Sequence, residues 1–390
     1  MRLPALEDLP DVSGRSVLVR ADLNVPLVPS ERGSLVVADD FRIRAALPTL
    51  QWLAERGARV TVCSHLGRPG GRPDGRHAME PVRRHLRNLC GTAGFEVELL
   101  ENLRFDPGEE GNDPSFVDRL MQGQELYVND AFGAAHRAHG SIVGPPQRVP
   151  SAAGRLLSRE VEVISSLFDR PAAPLVAVVG GAKVSDKLAL LESLLARVDT
   201  LVVGGGMCFP FLAAQGQAIG DSPVEADQIH RCRELLRSGR DVVLPVDVVA
   251  LAEEGTLGPD GRSAIATYGR DIPRGWRGLD IGERSGERFA ELIEQAATVF
   301  WNGPMGAFED PRFARGTRFV AEAVASSSAF TVVGGGDTVA AVEGFGLGDR
   351  IDHLSTGGGA ALELIERGDL PGLAALRQQP GRLTAGLRRS

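Results

Sequence analysis

The sequence predicts an α/β protein made of two doubly wound, Rossmann-like parallel-sheet lobes joined by a helix and hinge, and three observations carry that prediction. The chain has 390 residues, room for two or three domains at about 150 residues each. Short apolar, mostly β-branched runs alternate with helical patterns from end to end, the signature of strands buried on both faces and joined by helices. Breaker chemistry gathers between residues 150 and 174, where one lobe can end and the next begin.

In the first half the strand runs are Ser16–Arg20, Arg59–Cys63, Glu96–Leu100 and Leu126–Asn129, with helices over Arg44–Glu55 and Pro81–Leu89. Pro150–Gly154 reads as a breaker, Arg155–Phe168 as a capped amphipathic helix and Arg170–Pro174 as a linker. The second half places strands at Leu175–Val179, Thr200–Val203, Asp241–Pro245, Thr298–Trp301 and Phe330–Val333, with helices over Lys187–Leu195 and Ala290–Gln295. The lobes are therefore expected at residues 1–170 and 171–371.

Composition narrows the function. Hydrophobic residues are 43% and charged residues 24%, values of a globular chain rather than a disordered one. Gly is 48 of 390 with no collagen period, so backbone comes close to something. The net charge of −8 argues against nucleic acid or an anionic membrane as partner, and an anionic ligand then needs a local site. Cys63, Cys90, Cys208 and Cys232 form no C-x-x-C pair, as expected of a reducing compartment. No apolar run reaches membrane-spanning length and the first residues hold no signal-peptide core, so a cytoplasmic protein is expected.

Two constellations carry chemistry. In the first half, basic residues follow strands, where open α/β sheets bind ligands: Arg20-Ala-Asp22-Leu-Asn24, Ser64-His65-Leu-Gly-Arg68, Asn102-Leu-Arg104 and His136-Arg137-Ala-His139, with Arg42 opening the first helix. Each Arg alone reads as the partner of an acid on a solvated rim; together they suit a small polyanion gripped by guanidinium forks. The second half has glycine-rich turns at Gly180-Gly181-Ala-Lys183, Gly204-Gly205-Gly206, Gly334-Gly335-Gly336-Asp337-Thr338 and Gly357-Gly358-Gly359. Such turns let backbone N–H groups and helix starts approach phosphates. None is a Walker A loop, and none is a dinucleotide fingerprint. Asp337 reads either as a helix cap or as an anchor for Mg²⁺. Of 43 Lys and Arg, only Lys183 and Lys187 are lysine; spaced i, i+4, they are expected on one face at the start of one helix.

These blocks, with Val19–Pro26, Glu101–Phe105, Tyr127–Gly133, Phe300–Gly306 and Phe308-Glu309, resemble the phosphoglycerate kinase family, in the family's order from about residue 6 to residue 376. The resemblance implies a triose-phosphate site made by Asp22, Asn24, Arg42, His65, Arg68, Arg104 and Arg137. It implies a nucleotide site with Lys187 on a phosphate, Asn302, Gly336 and Thr338 near the phosphates, Glu309 on the ribose, Asp337 on Mg²⁺, and Gly205 and Gly206 near the adenine. Arg42, Lys183, Gly358 and Gly359 would meet the moving phosphoryl group. The partners implied are 3-phosphoglycerate or 1,3-bisphosphoglycerate and ADP or ATP, with a glycolytic role and a monomeric state. The tail, 372–390, would pack back on the first lobe. Two rivals remain: a dehydrogenase of Rossmann type, which lacks its fingerprint here, and a non-catalytic metabolite-binding paralogue, against which the full set of site residues weighs and on which an assay for ATP formation would decide.

Overall fold

The computed structural model describes residues 2–31, 33–169, 171–258, 263–269 and 271–379. The chain divides into two compact units, one made of Met1–Ser165 and the chain from Arg367, the other of Ser166–Glu366.

The first unit holds β1 (Ser16–Ala21), a hairpin of β2 (Leu27–Pro29) and β3 (Leu35–Val37), then β4 (Arg59–Cys63), β5 (Glu98–Leu99), β6 (Leu126–Asp130) and β7 (Ser151–Ala153). Its sheet runs β5-β4-β1-β6-β7, every pair parallel. Val17, Leu18 and Val19 of β1 are wholly buried, as a strand covered on both faces requires. The helices are α1 (Phe41–Ala54), α2 (Glu80–Thr92), α3 (Pro107–Glu110), α4 (Pro114–Leu120), α5 (Gly140–Val143) and α6 (Arg155–Asp169). α1 buries Ile43, Ala46, Leu50 and Leu53 and α2 buries Val82, Leu86 and Cys90, at three- and four-residue spacings, in one core with the sheet. Asp106 and Asp113 cap α3 and α4, each accepting a backbone N–H ahead of a Pro.

The second unit holds β8 (Leu175–Val179), β9 (Thr200–Val203), β10 (Asp241–Val243), β11 (Val248–Ala252), β12 (Ile265–Tyr268), β13 (Trp276–Ile281), β14 (Thr298–Asn302), β15 (Phe330–Gly334) and β16 (His353–Leu354). The main sheet, β10-β9-β8-β14-β15-β16, is again all parallel. Its helices are α7 (Leu188–Leu195), α8 (Cys208–Ala214), α9 (Ile229–Leu236), α10 (Glu283–Glu294), α11 (Arg315–Ser326), α12 (Gly336–Gly344) and α13 (Gly358–Arg367). Trp301, Phe289 and Val320 lie in a core shared by the sheet, α10 and α11.

Three features depart from the sequence expectation. Pro150–Gly154, expected as a breaker, contains β7, whose Ser-Ala-Ala carries no β-branched residue and is recruited by pairing with β6. The second unit adds an antiparallel sheet, β12-β11-β13, which the pattern of buried apolar runs passes over because β12 is half exposed. The helix expected at Ala290–Gln295 begins seven residues earlier, at Glu283, where its first two turns show water a mostly polar face.

The last helix, α14 (Pro371–Arg377), packs on α5 of the first unit. Gly372 N donates to Ala135 O at 2.9 Å, and the Gln379 amide pairs with both backbone groups of Ser151. The remainder of the tail, 380–390, lies outside the described residues. Among the described residues no helix is long and apolar enough to cross a membrane.

Candidate functional site

Parallel sheets place all their strand ends, and the loops that follow, at one edge. The natural crevice forms where strand order reverses, between β1 and β6 in the first unit and between β8 and β14 in the second. The expected site residues lie in the loops around these two points.

In the first unit the ends of β1, β4, β5 and β6 gather a basic basin. Arg20, at the end of β1, is almost fully buried; its Nε donates to Ser141 Oγ at 3.0 Å, one Nη donates to Ala21 O, and Nη2 sits 3.1 Å from His65 Nδ1. Asp22 lies 3.6 Å from Arg42 Nη1 and 4.0 Å from His65 Nδ1. Arg42 also donates to Asn24 O at 2.9 Å, and Asn24 Oδ1 accepts Gly67 N at 2.8 Å. Arg104 is buried, donates to Gly67 O at 2.7 Å and pairs with Glu110 at 3.1 Å, at an angle that makes no hydrogen bond from Nε. Arg137 Nε donates to His136 Nε2 at 3.3 Å. Arg68 is exposed, with no hydrogen bond or ion pair among the described residues. Burial, then the Arg20, Arg104 and Arg137 guanidinium groups, hold His65 well below the usual imidazole range despite Asp22. The same causes bring His139 down to about 4. Both imidazoles are therefore neutral at physiological pH, and the basin's charge resides in arginine.

The second site is built mostly from backbone. Lys187 Nζ donates to Gly180 O at 2.7 Å, Asn302 Oδ1 at 2.6 Å and Asn302 O at 3.3 Å, tying the loop after β8 to the loop after β14 across the reversal point. Burial pushes Lys187 down to about 8, against the pull of Asp337 and Asp186. Asn302 Nδ2 is buried and unpartnered and would touch a Cβ placed on Gly335 at 2.9 Å. Thr338 Oγ1 accepts Gly303 N at 2.7 Å. The glycines are of two kinds. A Cβ on Gly205 or Gly206 would strike the backbone of Gly181 or Ala182 at 2.7 Å, and one on Gly358 would strike Gly335 Cα at 2.6 Å; these hold loop against loop. A Cβ on Gly336 or Gly359 would meet nothing within 4 Å. Both sit in the first turns of α12 and α13, where free N–H groups and the positive dipole end favour an anion.

The structure thus joins Lys187, Asn302, Thr338, Gly205, Gly206 and Gly358 in one cluster, with Gly336 and Asp337 at the start of α12 and Gly359 at the start of α13. Glu309 is exposed in the turn after β14, with no hydrogen bond or ion pair to that cluster among the described residues. The lysine pair requires a correction. Lys183 precedes any helix and is exposed, whereas Lys187 is the N-cap residue of α7 with φ −128°. The two share no helical face, because Ser185–Lys187 forms a separate 3-10 turn. Asp337 is not a cap either: Gly335 holds the N-cap position of α12, with φ 96°.

Ser141 and Glu109 escaped the sequence reading as functional residues, and Arg20, named there within the basic run after the first strand, was given no role of its own. Glu109 is fully buried and accepts Ser141 N at 2.8 Å and Ser141 Oγ at 2.6 Å, so it supports Arg20 from beneath. The only hint is the Glu109-Glu110 pair after Arg104, which reads as solvated surface.

One parallel-sheet unit collects guanidinium groups and the other presents glycine-lined helix starts beside a lysine, two arrangements that suit phosphorylated ligands. The family model described as phosphoglycerate kinase matches residues 6–368. The phosphoglycerate kinase of Rubrobacter xylanophilus is 51% identical over 389 residues, covering 95% of this chain and 97% of its own. That of Salinispora tropica is 49% identical over 405 residues, covering 96% and 100%. Among solved structures, phosphoglycerate kinase from Coxiella burnetii has a TM-score of 0.83 at 38% identity, covering 97% of this chain and 99% of that one. The enzyme from Pyrococcus horikoshii OT3 has a TM-score of 0.83 at 31% identity, covering 96% and 98%. The chain belongs to the phosphoglycerate kinase family, and it is a phosphotransferase with a carboxyl group as acceptor.

Proposed function

We propose that the two sites divide the family's reaction between the units. 1,3-bisphosphoglycerate or 3-phosphoglycerate binds the first-unit basin through Asp22, Asn24, Arg42, His65, Arg68, Arg104 and Arg137. ADP or ATP binds the second unit, with Lys187, Asn302, Gly336 and Thr338 at its phosphates, Glu309 at the ribose, and Gly205 and Gly206 at the base. The observation that carries this division is the contrast in donors: fixed guanidinium forks suit carboxylate and phosphate oxygens, while backbone amides at helix starts suit a polyphosphate.

Mg²⁺ enters with the nucleotide. The donor set fits that role, since Asp337 is an exposed single carboxylate beside the start of α12, and magnesium commonly takes one or two carboxylates and fills its shell with phosphate and water. When bound, the ion neutralises phosphate charge.

In transfer, the bond between phosphorus and the acyl oxygen of 1,3-bisphosphoglycerate breaks and one to a terminal β-phosphate oxygen of ADP forms. The leaving carboxylate is weakly basic, so no general acid is needed. Positioning and charge on the equatorial oxygens provide the acceleration. Lys183, Arg42 and the amides of Gly358 and Gly359 supply that charge after hinge closure brings the substrates together. We place the enzyme in the cytoplasm as a monomer.

The test is coupled ATP formation together with separate titrations of each ligand. Arg68→Ala is expected to weaken 3-phosphoglycerate binding and leave ADP binding unchanged; an equal loss of both overturns the division.

A further inference from the structure

We infer that Glu225 is a positioning residue for phosphoryl transfer, holding the loop that presents Lys183. The inference rests on the role proposed for Lys183. Glu225 Oε2 accepts Val184 N at 2.8 Å and Ser185 N at 3.1 Å, and Oε1 accepts the Ser185 hydroxyl. One carboxylate thus takes three donors from the two residues that follow Lys183. The Ser185 hydroxyl first, then the two amides, hold the Glu225 carboxyl below the usual carboxylate range, so it is ionised wherever the enzyme works.

Most of the other anchors of this loop lie at its ends. Gly180 N donates to Asn302 O, Gly181 N to Pro304 O, and Met207 N to Gly181 O, which fixes the entry. The Lys187 ammonium, on Gly180 O and Asn302, fixes the exit. The middle, Lys183 to Ser185, is held by burial of the Val184 side chain, by Val184 O, which accepts Lys187 N at 3.0 Å, and by Glu225, which alone among the described residues takes the Val184 and Ser185 amides. Lys183 itself is exposed, with no hydrogen bond or ion pair among the described residues, so nothing on its own side chain sets where its ammonium points. That direction depends on its backbone, and the next two amides are on Glu225.

Glu225 is itself well placed to hold still. It lies in the segment between α8 and α9, where Gln228 N donates to Glu225 O at 2.9 Å and Ser222 Oγ accepts Gly278 N at 2.8 Å. That ties the segment both to the approach to α9 and to β13. An anchor that touches no ligand acts on the geometry of transfer and not on ground-state affinity, and displacement of a catalytic group by 1 Å can cost on the order of a hundredfold.

The experiment is a double-mutant cycle on the full-length enzyme, with Glu225→Ala, Glu225→Gln, Lys183→Ala and the double Glu225→Ala/Lys183→Ala. Glu225→Ala should lower kcat about tenfold while the KM for ADP changes less than about twofold, the split that marks an interaction used in the transition state. Glu225→Gln, whose amide oxygen can still accept the two backbone N–H groups, should stay within about threefold of the parent. In the Lys183→Ala background, Glu225→Ala should have no further effect, because residues acting through each other are not additive. If Glu225→Ala does not fold, Glu225→Asp, shorter by one methylene, takes its place. Normal kcat in Glu225→Ala, or a loss that adds fully to that of Lys183→Ala, overturns the inference. Normal kcat in Lys183→Ala instead overturns the role of Lys183, a result read separately from the Glu225 single variant.

Discussion

The two candidate sites are built from different materials. In the first unit the work falls to side chains, and nearly every cation is itself held: Arg20 by Ser141 and His65, Arg42 by Asn24, Arg104 by Gly67 and Glu110. In the second unit most of the donors are backbone, and the glycines serve either to let loops touch or to leave a helix start open. A side-chain site can be tuned by charge and titration. A backbone site is tuned by steric clearance, and its few side chains carry disproportionate weight.

That difference predicts where substitution hurts most. Lys183→Ala should lower kcat by roughly 10²–10³, as for loss of one transition-state donor. Lys183→Arg should cost about tenfold with little change in Tm, since a planar fork does not replace a compact ammonium. Single-turnover rates check both, and near-normal turnover in Lys183→Arg would erase the special weight given to side chains in the second unit. Next in size, Asp337→Asn should lose Mg²⁺-dependent nucleotide affinity by about tenfold or more while Tm stays put, because Asp337 caps nothing; titration with and without Mg²⁺ decides.

In the first unit, Arg68→Ala and Arg137→Ala should each weaken 3-phosphoglycerate binding by about 1.5–3 kcal/mol without changing ADP affinity. Arg68→Ala should leave stability untouched, whereas Arg104→Ala should lower Tm as well, because Arg104 is buried and holds Gly67 O as well as pairing with Glu110. Calorimetry and a melting curve separate the two effects.

The last effect concerns acid. His139 is held at about 4 in the fold and near 6.5 when unfolded, so the unfolded chain binds the extra proton. Stability from this group is full above about pH 6.5 and is lost as pH falls towards 4. His139→Gln should flatten that slope in urea midpoints. Asp130, which burial pushes up to about 6, has the opposite slope between about pH 4 and 6, so the variant must be compared with the parent at each pH. An unchanged slope would mean that the basin of the first unit does not exclude protons as its burial implies.

Much of this is legible in the sequence. The buried strands announced themselves because a parallel strand covered on both faces must be apolar throughout, as at Leu175–Val179. The basic loops were visible because polar chemistry follows directly on such runs. The edge strand β7 was not, since Ser151-Ala-Ala has no strand preference and pairs only because β6 stands open beside it. The antiparallel sheet of β11, β12 and β13 was not either, since β12 is half exposed and makes no apolar run, and β11 pairs with β13 past the strand that lies between them in sequence.

For the site the line falls in the same place. Sequence by itself determined which chemistry is present: arginines and histidines after the first-unit strands, glycine turns and two lysines in the second, because residue types and their position relative to a strand are local facts. Tertiary structure alone decided what each does. It separated Lys183 from Lys187 by a 3-10 turn, gave the cap of α12 to Gly335 rather than Asp337, and set Glu109 beneath Arg20 and Glu225 behind Lys183. The physical reason is that a side chain's direction, burial and charge state depend on partners 30 to 120 residues away, and a linear pattern holds no record of those contacts.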